Sequence, residues 1–295
     1  MTAERSGEQR GADGGVRGDE RDADVGAMLR EWRKLRDPAR IPGLDGTRGA
    51  RSYVTQLDMA TLLGVSERWY CYLERGERRQ YTRRMIDGVV RVLDLSPAQA
   101  DVLYRFTRHE PAYEPAYEPA YEQGSAAVPD PLLVDLVRRQ RDCVSFLADG
   151  AWDVLACNEV AGLHCPWVAR DGANVLEWVF GPDSRYQLRD WEGSWALPLL
   201  SDVRLAWQRT PHNARLDTVV RHLRAQPGVP ALWRRTAHTP GPHTAPRPMF
   251  FPLISPEPIT LRILTMGPYG TVGPYGRGEL RWTVMTPVDP AVRFV

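Results

Sequence analysis

The chain of 295 residues is long enough for two domains, and its hydrophobic fraction of 43% is sufficient for packed cores. It has no signal peptide, no apolar run of about 18 residues and no paired metal-ligand spacing among its four cysteines. These absences argue against a membrane partner and a metal site, and they predict a cytoplasmic location. The net charge of +1 hides an excess of 16 Lys and Arg over 10 acidic residues within residues 25–109, which favours an anionic partner for that segment.

Composition divides the chain into four segments. Residues 1–24 are polar, Gly-rich and without aromatics, so a disordered tail is predicted. Helical spacing of apolar residues in 25–109 predicts an all-α domain. Residues 110–129 contain EPAYEPAYEPAYE, in which a proline every fourth residue forbids a regular helix. This segment is interpreted as a linker, either a plain spacer or a tyrosine-bearing docking motif, before a second domain at 130–295.

The first domain is predicted to contain five helices. The first starts at Val25 and ends before Pro38, because proline cannot continue a helix. The other four predicted helices are Gln56 to Leu63, Ser66 to Arg75, Met85 to Leu93 and Pro97 to Thr107.

The second and third predicted helices fit a helix-turn-helix, in the sequence QLDMATLLGVSERWYCYLER (56–75). Ala60 is small where two helices must touch, and Gly64 permits the positive φ of the turn. Thr55 with Asp58 forms a capping-box pattern, and Ser66 can cap the second helix. The positions predicted to be buried are Met59, Leu63, Val65, Tyr70 and Leu73.

In such a motif, the second helix enters the major groove with its N-terminal part toward the base edges. The outward positions, predicted to read bases, are Ser66, Glu67, Arg68, Cys71 and Tyr72. Arg68 is the strongest candidate, because a guanidinium pairs with the O6/N7 edge of guanine. Predicted phosphate contacts, which position without reading, are Gln56, Arg78, Arg79, Arg83 and Arg84. Trp69 is expected to pack against Trp32 or on the sugar-phosphate wall. The alternative structural interpretation is an α-hairpin with a solvated polar face.

The second domain is predicted to be α+β with an antiparallel sheet. A helix at Pro131–Cys143 precedes a strand pair near Val144–Phe146 and Trp152–Ala156, and helices follow through Trp233. The last segments, PRPMFFPLI, ITLRILTM and LRWTVMTPV, predict three strands with GPYGTVGPYGRG as a hairpin loop.

Eight of the ten tryptophans lie beyond residue 150, a composition that fits an apolar ligand cavity or an ordinary core. Trp191 and Trp195 are four residues apart and share a helix face. Asn158 is either a helix cap or a ligand contact. The candidate pocket residues are Trp152, Asn158, Trp178, Trp191, Trp195 and Phe250. No nucleophile, nucleotide-binding or metalloprotease motif is present, so no enzyme activity, catalytic residue or cofactor is predicted.

Two parts of the chain resemble known proteins. Residues 25–108, with VTQLDMATLLGVSERWYCYLERGERR and RRMIDGVVRVLDLSPAQADVLYRF, resemble the Xre/Cro-type helix-turn-helix of actinobacterial regulators. AWDVLACNEVAGLHC (151–165), RYQLRDWEG (185–193) and the C-terminal strands are similar to the MmyB-like ligand-binding domain found in a group of them. The resemblance implies a PAS-like fold for 130–295, a homodimer that binds double-stranded operator DNA, and a small ligand, with lipophilic compounds among the candidates.

The predicted function is therefore a sequence-specific DNA-binding transcription regulator that a small molecule controls. The alternative is a protein-interaction module that docks through the helical domain and the YEPA repeat and does not bind DNA.

Overall fold

The structure is a computed structural model that describes residues 5–42, 44, 52–109, 129–236, 245–270 and 279–294, with no side-chain description for 5–19, 267–270 and 279. Residues 5–109 and 129–294 belong to two separate compact units. The 110–122 repeat and residues 271–278 of the predicted hairpin loop lie outside the described residues. Within the described ranges, no helix is both long and apolar enough to cross a membrane.

The first unit is all-α, as predicted. Its helices are α1 (Arg5–Leu35), α2 (Gln56–Leu63), α3 (Glu67–Glu74), α4 (Arg83–Leu93) and α5 (Pro97–Thr107), with a 3-10 turn at Pro38–Arg40. α1 packs against α3 and α5, while α2 packs against α3 and α4. The centre of this unit is formed by fully buried Leu29, Tyr70, Leu73, Ile86 and Leu103. Each of α2 to α5 is capped by a Ser or Thr hydroxyl, which fixes its first turn.

The start of α1 differs from the prediction of a disordered tail over residues 1–24, because this helix begins at Arg5. Arg21 is 8% exposed, and the Asp22 carboxylate accepts two hydrogen bonds from Arg78, at 2.5 and 2.7 Å. These contacts hold residues 21 and 22, at the end of the predicted tail, in the fold, and a polar composition does not show which of its charges finds a partner.

The second unit combines helices with one sheet, and it confirms the predicted α+β class. Its helices are α6 (Pro131–Arg139), α7 (Glu159–His164), α8 (Val175–Phe180), α9 (Ser184–Gln187), α10 (Leu197–Arg209), α11 (Ala214–Ala225) and α12 (Val229–Arg235), with a 3-10 turn at Pro166–Ala169 and a π-helix at Trp191–Ala196. Its strands are β1 (Val144–Ala148), β2 (Val154–Cys157), β3 (Arg247–Met249), β4 (Ile259–Gly270) and β5 (Glu279–Pro287). The strand order is β2-β1-β5-β4-β3, and every neighbouring pair is antiparallel.

Several predicted boundaries in this unit were wrong. β2 is Val154–Cys157 rather than Trp152–Ala156, and β3 covers only Arg247–Met249 of the predicted strand PRPMFFPLI. α6 ends at Arg139 rather than Cys143, because Gln140 adopts an extended conformation. β4 continues to Gly270, so Gly267–Gly270 belong to a strand rather than to the predicted loop. Tyr269 and Gly270 pair with β5 beyond a bulge between Met266 and Tyr269. A bulge lets a strand accommodate residues that do not fit the regular pairing.

The sheet has two different faces. Phe146, Leu261 and Met285 are part of the main core, which the helices of this unit complete. On the opposite face, Leu147 and Leu280 pack with Val137 of α6 in a smaller cluster. The alternation of side chains along each strand sends neighbouring residues to these two clusters.

Candidate functional site

The turn between α2 and α3 has the local features that the sequence predicted for it. α2 ends at Gly64, whose φ is 67°, and the Val65 amide donates to the Ala60 carbonyl at 3.0 Å. Ala60 is 2% exposed, and α2 packs against α3. The capping box of Thr55 and Asp58 is present in both directions. These local features hold α3 at a fixed angle to α2.

The outward face of α3 carries the five predicted base readers. Ser66, Glu67 and Arg68 are exposed, whereas Cys71 and Tyr72 are half-buried. The Ser66 hydroxyl accepts from the Trp69 amide at 3.2 Å and caps the helix. The opposite face is buried and consists of Tyr70, Leu73 and Glu74. Of the five positions predicted to be buried in the motif, Leu63 and Val65 are only half-buried.

Tyr72 lies between two arginines. Arg68 Nε donates to the Tyr72 hydroxyl at 2.6 Å, and the Arg79 guanidinium lies 3.6 Å from the centre of the Tyr72 ring. Arg79 also donates through Nε and Nη2 to Glu77, at 3.0 and 2.6 Å.

Trp69 meets the Tyr72 ring edge-on, with the ring centres 6.1 Å apart. The ring contacts of Trp69 are with Tyr72 and with Tyr81, neither of which was its predicted neighbour.

A buried ion pair between Arg33 and Glu74 connects α3 to α1. Arg33 of α1 donates to both Glu74 carboxylate oxygens, at 2.6 and 3.1 Å, and to the Val54 carbonyl at 2.7 Å. Arg33 is 6% exposed and Glu74 1%. Burial alone would lower the pKa of Arg33, but the bond to Glu74 and its charge more than offset burial and raise this pKa. Sequence reasoning missed this pair.

Gln56, a predicted phosphate contact, is hydrogen-bonded within the protein, in part to the same Glu74 carboxylate. Its Nε2 donates to Glu74 at 2.7 Å, and its Oε1 accepts from the Cys71 thiol at 3.2 Å. Both ends of the Gln56 amide are therefore used within the protein. Burial, followed by the charge of Glu67, raises the pKa of Cys71, so this side chain is a neutral thiol on the α3 face.

The other predicted phosphate contacts fall into two groups. Arg78 uses Nε and Nη2 for Asp22 and Nη1 for the Phe106 carbonyl, so it has a structural role within the helical unit. Arg83 donates to Asp87 at 3.0 Å and remains partly exposed. Arg84 is exposed and has no hydrogen-bond or ion-pair partner among the described residues. The phosphate contacts predicted for Arg79, Arg83 and Arg84 stay predictions.

Two glycines allow α1 to cross the end of α3. A Cβ on Gly76, whose φ is +72°, would overlap the Asp22 carbonyl, and one on Gly26 would lie 2.5 Å from the Glu74 carbonyl. The backbones therefore approach more closely here than any other residue would permit.

Gly76→Ala is expected to destabilise the helical unit by about 2–3 kcal/mol, because left-handed strain and overlap with backbone add together. Gly64→Ala is the matched control, since Gly64 also has positive φ, but nothing lies within 4 Å of a Cβ placed there. The control is expected to lose about 1 kcal/mol. Hydrogen exchange of amides in α3 measures both losses, and equal losses would contradict the proposed overlap.

In the second unit, four of the predicted pocket residues belong to the main core or pack against it, namely Trp152, Trp178, Trp191 and Trp195. Among these described residues, no direct ring contact joins one of the four to another. Trp152 lies in the β1–β2 turn with φ +66° and the Arg281 guanidinium 4.1 Å from its ring centre. Trp178 stacks on Trp167 at 4.3 Å. The remaining aromatic candidates, Trp191, Trp195 and Phe250, lie in the π-helix and just after β3.

Asn158 is a structural cap rather than a pocket residue. It is 2% exposed. Its Oδ1 accepts from the amides of Ser145 and Ala161 at 3.1 and 2.9 Å. Its Nδ2 donates to the carbonyls of Gln140 and Cys143, both at 2.8 Å. All four hydrogen bonds go to backbone, so we remove Asn158 from the predicted pocket.

Arginines cover the aromatic rings near the π-helix, and local sequence patterns did not predict these contacts. Arg185 lies 3.1 Å from the centre of the Trp191 ring, Arg189 lies 5.4 Å from the centre of the Phe250 ring, and Arg247 lies 5.5 Å from that of Trp195.

The two indoles of the π-helix are hydrogen-bonded to backbone. The indole of Trp191 donates to the Val179 carbonyl at 2.8 Å, and that of Trp195 donates to the carbonyls of Arg189 and Pro248 at 3.1 and 3.2 Å. Burial lowers the pKa of both Arg185 and Arg247. This part of the domain thus combines apolar rings with partly desolvated positive charge.

Cys165 is buried, and burial raises the pKa of its thiol to about 12. No group of His, Cys, Asp and Glu within the described ranges is arranged to hold a metal ion.

One family is identified by comparison with known proteins. The sequence model of the MmyB-like transcription regulator ligand binding domain matches residues 129–293, more than half of the chain and nearly all of the second unit. No curated protein matches the chain. The chain therefore belongs to the family of transcription regulators with an MmyB-like ligand binding domain.

Proposed function

We propose that the chain is a sequence-specific DNA-binding regulator whose first unit binds duplex DNA and whose second unit binds a small molecule. The observation that carries the proposal is the outward face of α3, where Ser66, Glu67 and Arg68 are exposed on a helix fixed by a left-handed glycine turn. Membership in a family of transcription regulators supports it independently.

The chemistry of that face suits the major groove. The first turn of α3 presents a hydroxyl, a carboxylate and a guanidinium, and these groups hydrogen-bond to base edges. Arg68 is the proposed guanine reader. Arg79, Arg83 and Arg84 follow α3 along the chain and supply positive charge for phosphates, which orient the helix without reading sequence.

The second unit is proposed to control this binding. Its family is defined by ligand binding, and its aromatic and arginine-rich π-helix region is one place where a small molecule finds apolar and positively charged groups together. In a homodimer, two α3 helices must match half-sites about one helical turn apart. A ligand that changes the separation of the two helices would therefore change operator affinity. Mass spectrometry under native conditions tests whether a small molecule copurifies with the protein.

Arg68→Ala is expected to reduce discrimination at one guanine by about 1–3 kcal/mol while leaving binding to unrelated duplexes unchanged. Arg84→Ala is the matched control, because an exposed phosphate contact should weaken all sequences alike and reduce the salt slope by about one. Selection from a random duplex library, followed by fluorescence anisotropy at several salt concentrations, measures both effects. Unchanged sequence preference in Arg68→Ala would refute α3 as the reading helix.

A further inference from the structure

A connected set of contacts around Tyr72 distinguishes the α3 surface from a row of independent side chains. Glu77 holds Arg79 through two hydrogen bonds, Arg79 covers the Tyr72 ring, and the Tyr72 hydroxyl accepts from Arg68. Glu77 and Arg79 lie beyond the end of α3, whereas Arg68 lies in its first turn. The contacts therefore join the two ends of the helix along its outward face.

We infer that Tyr72 is a positioning residue that Arg79 and Glu77 hold in place, and that it fixes Arg68 for guanine instead of reading a base itself. The inference rests on the proposed DNA binding. It names the sequence feature that this face selects, a guanine opposite Arg68, and it assigns a role to Glu77.

The hydrogen-bonding groups of Arg68 support this division of roles. A guanidinium has five N–H donors, and Tyr72 engages the one on Nε. The two terminal nitrogens stay available for the O6 and N7 acceptors of one guanine. An exposed arginine normally loses considerable rotamer entropy when it binds, so a side chain that is already held binds with a smaller entropic loss.

Tyr72 is itself confined from several directions. Arg79 lies 3.6 Å from its ring centre, and Trp69 approaches its edge. Because Nε and Nη2 of Arg79 are both engaged by Glu77, contacts within the protein orient this guanidinium. Removing the Glu77 charge should release Arg79 and, through Tyr72, loosen Arg68.

The decisive variant is Tyr72→Phe in the full chain, since it removes one hydroxyl and keeps the ring under Arg79. We expect preference for guanine opposite Arg68 to fall roughly fivefold, the equivalent of one hydrogen bond, while affinity for unrelated duplexes and the salt slope stay unchanged. Glu77→Gln should reduce the same preference in the same direction. The unfolding midpoint of each variant, followed by circular dichroism, should match that of the wild type.

A double-mutant cycle with Arg68→Ala separates positioning from direct reading. If Tyr72 acts only through Arg68, Tyr72→Phe has no further effect on preference once Arg68 is alanine. A persistent effect at a different base pair would show that Tyr72 reads a base, and it would overturn the inference. Unchanged preference in Tyr72→Phe, with a selective wild type, would overturn it as well. A wild type that selects no duplex sequence would instead refute the proposed function on which the inference rests.

Discussion

Glu74→Ala is expected to destabilise the helical unit by about 3–5 kcal/mol, because it leaves the Arg33 guanidinium charged and without its carboxylate in a buried site. Arg33 is 6% exposed and holds both oxygens of Glu74. Gln56 also loses the acceptor of its Nε2. The same carboxylate thus joins α1, α2 and α3, so its loss should loosen the presentation of α3 as well as the stability of the unit.

Hydrogen exchange followed by mass spectrometry measures this effect within the full chain, since a protein of two units need not unfold in one step. Peptides from α1 to α3 should lose protection, and peptides from the sheet of the second unit serve as the internal reference. Glu31→Ala on α1 is the matched control, because its pair with Lys34 is exposed at 3.5 Å and contributes less than about 0.5 kcal/mol.

The double variant Arg33→Met with Glu74→Leu adds a test of the mechanism. It removes both charges, so it should recover a large part of the lost stability. If Glu74→Ala costs no more than Glu31→Ala, or if the double variant is as unstable as the single one, the buried charge is not the cause.

The features that the sequence predicted well are local ones. The bounds of α2 and α5, the capping box at Thr55 and the left-handed turn at Gly64 agree with the prediction. Each depends on residues within a few positions of one another, and so the chain segment itself contains the determinants. The strands were found for the same reason, because alternating β-branched and apolar residues are a property of a single segment.

The buried ion pair shows what local patterns miss. Arg33 lies four residues after Leu29, and Glu74 four after Tyr70, so both charges lie on the apolar stripe of their own helix. That position was a usable signal that each charge is buried. Their pairing across 41 residues could not be read from either helix, and neither could the pairing of Asp22 with Arg78. The candidate α3 face was therefore predictable, but its supports were not.

The prediction of the aromatic pocket was incomplete for the same reason, because local sequence patterns do not show contacts between distant residues. A spacing of four residues placed Trp191 and Trp195 on one face of a regular α-helix, but the structure has a π-helix there. Tryptophan content identifies a domain rich in rings, whereas the three-dimensional packing decides which rings meet. Trp178 stacks on Trp167, which was not among the candidates.

Asn158→Ala is expected to destabilise the second unit by about 3–5 kcal/mol, since it leaves two buried amides, one buried carbonyl and one partly buried carbonyl without partners at about 1 kcal/mol or more each. These groups belong to the segment before β1, to β1 itself and to the first turn of α7. Asn158 therefore fixes how the chain enters the sheet and how it leaves β2.

Asn213→Ala is the matched control for this cap. Asn213 also caps a helix, α11, but within the described part of the chain its side chain accepts from the Leu216 amide alone, at 2.9 Å, so a loss of about 1 kcal/mol is expected. Unfolding is followed through hydrogen exchange of β1 and α7 for Asn158→Ala, and of α11 for the control.

Asn158→Asp refines the comparison, because it keeps the acceptor for Ser145 and Ala161 but places a carboxylate beside the carbonyls of Gln140 and Cys143. Its loss should be close to that of alanine, since the two donor bonds are replaced by repulsion between oxygens. If Asn158→Ala costs no more than Asn213→Ala, the four bonds do not act together. A ligand bound by the second unit whose affinity falls in Asn158→Asp with no change in stability would return Asn158 to the pocket.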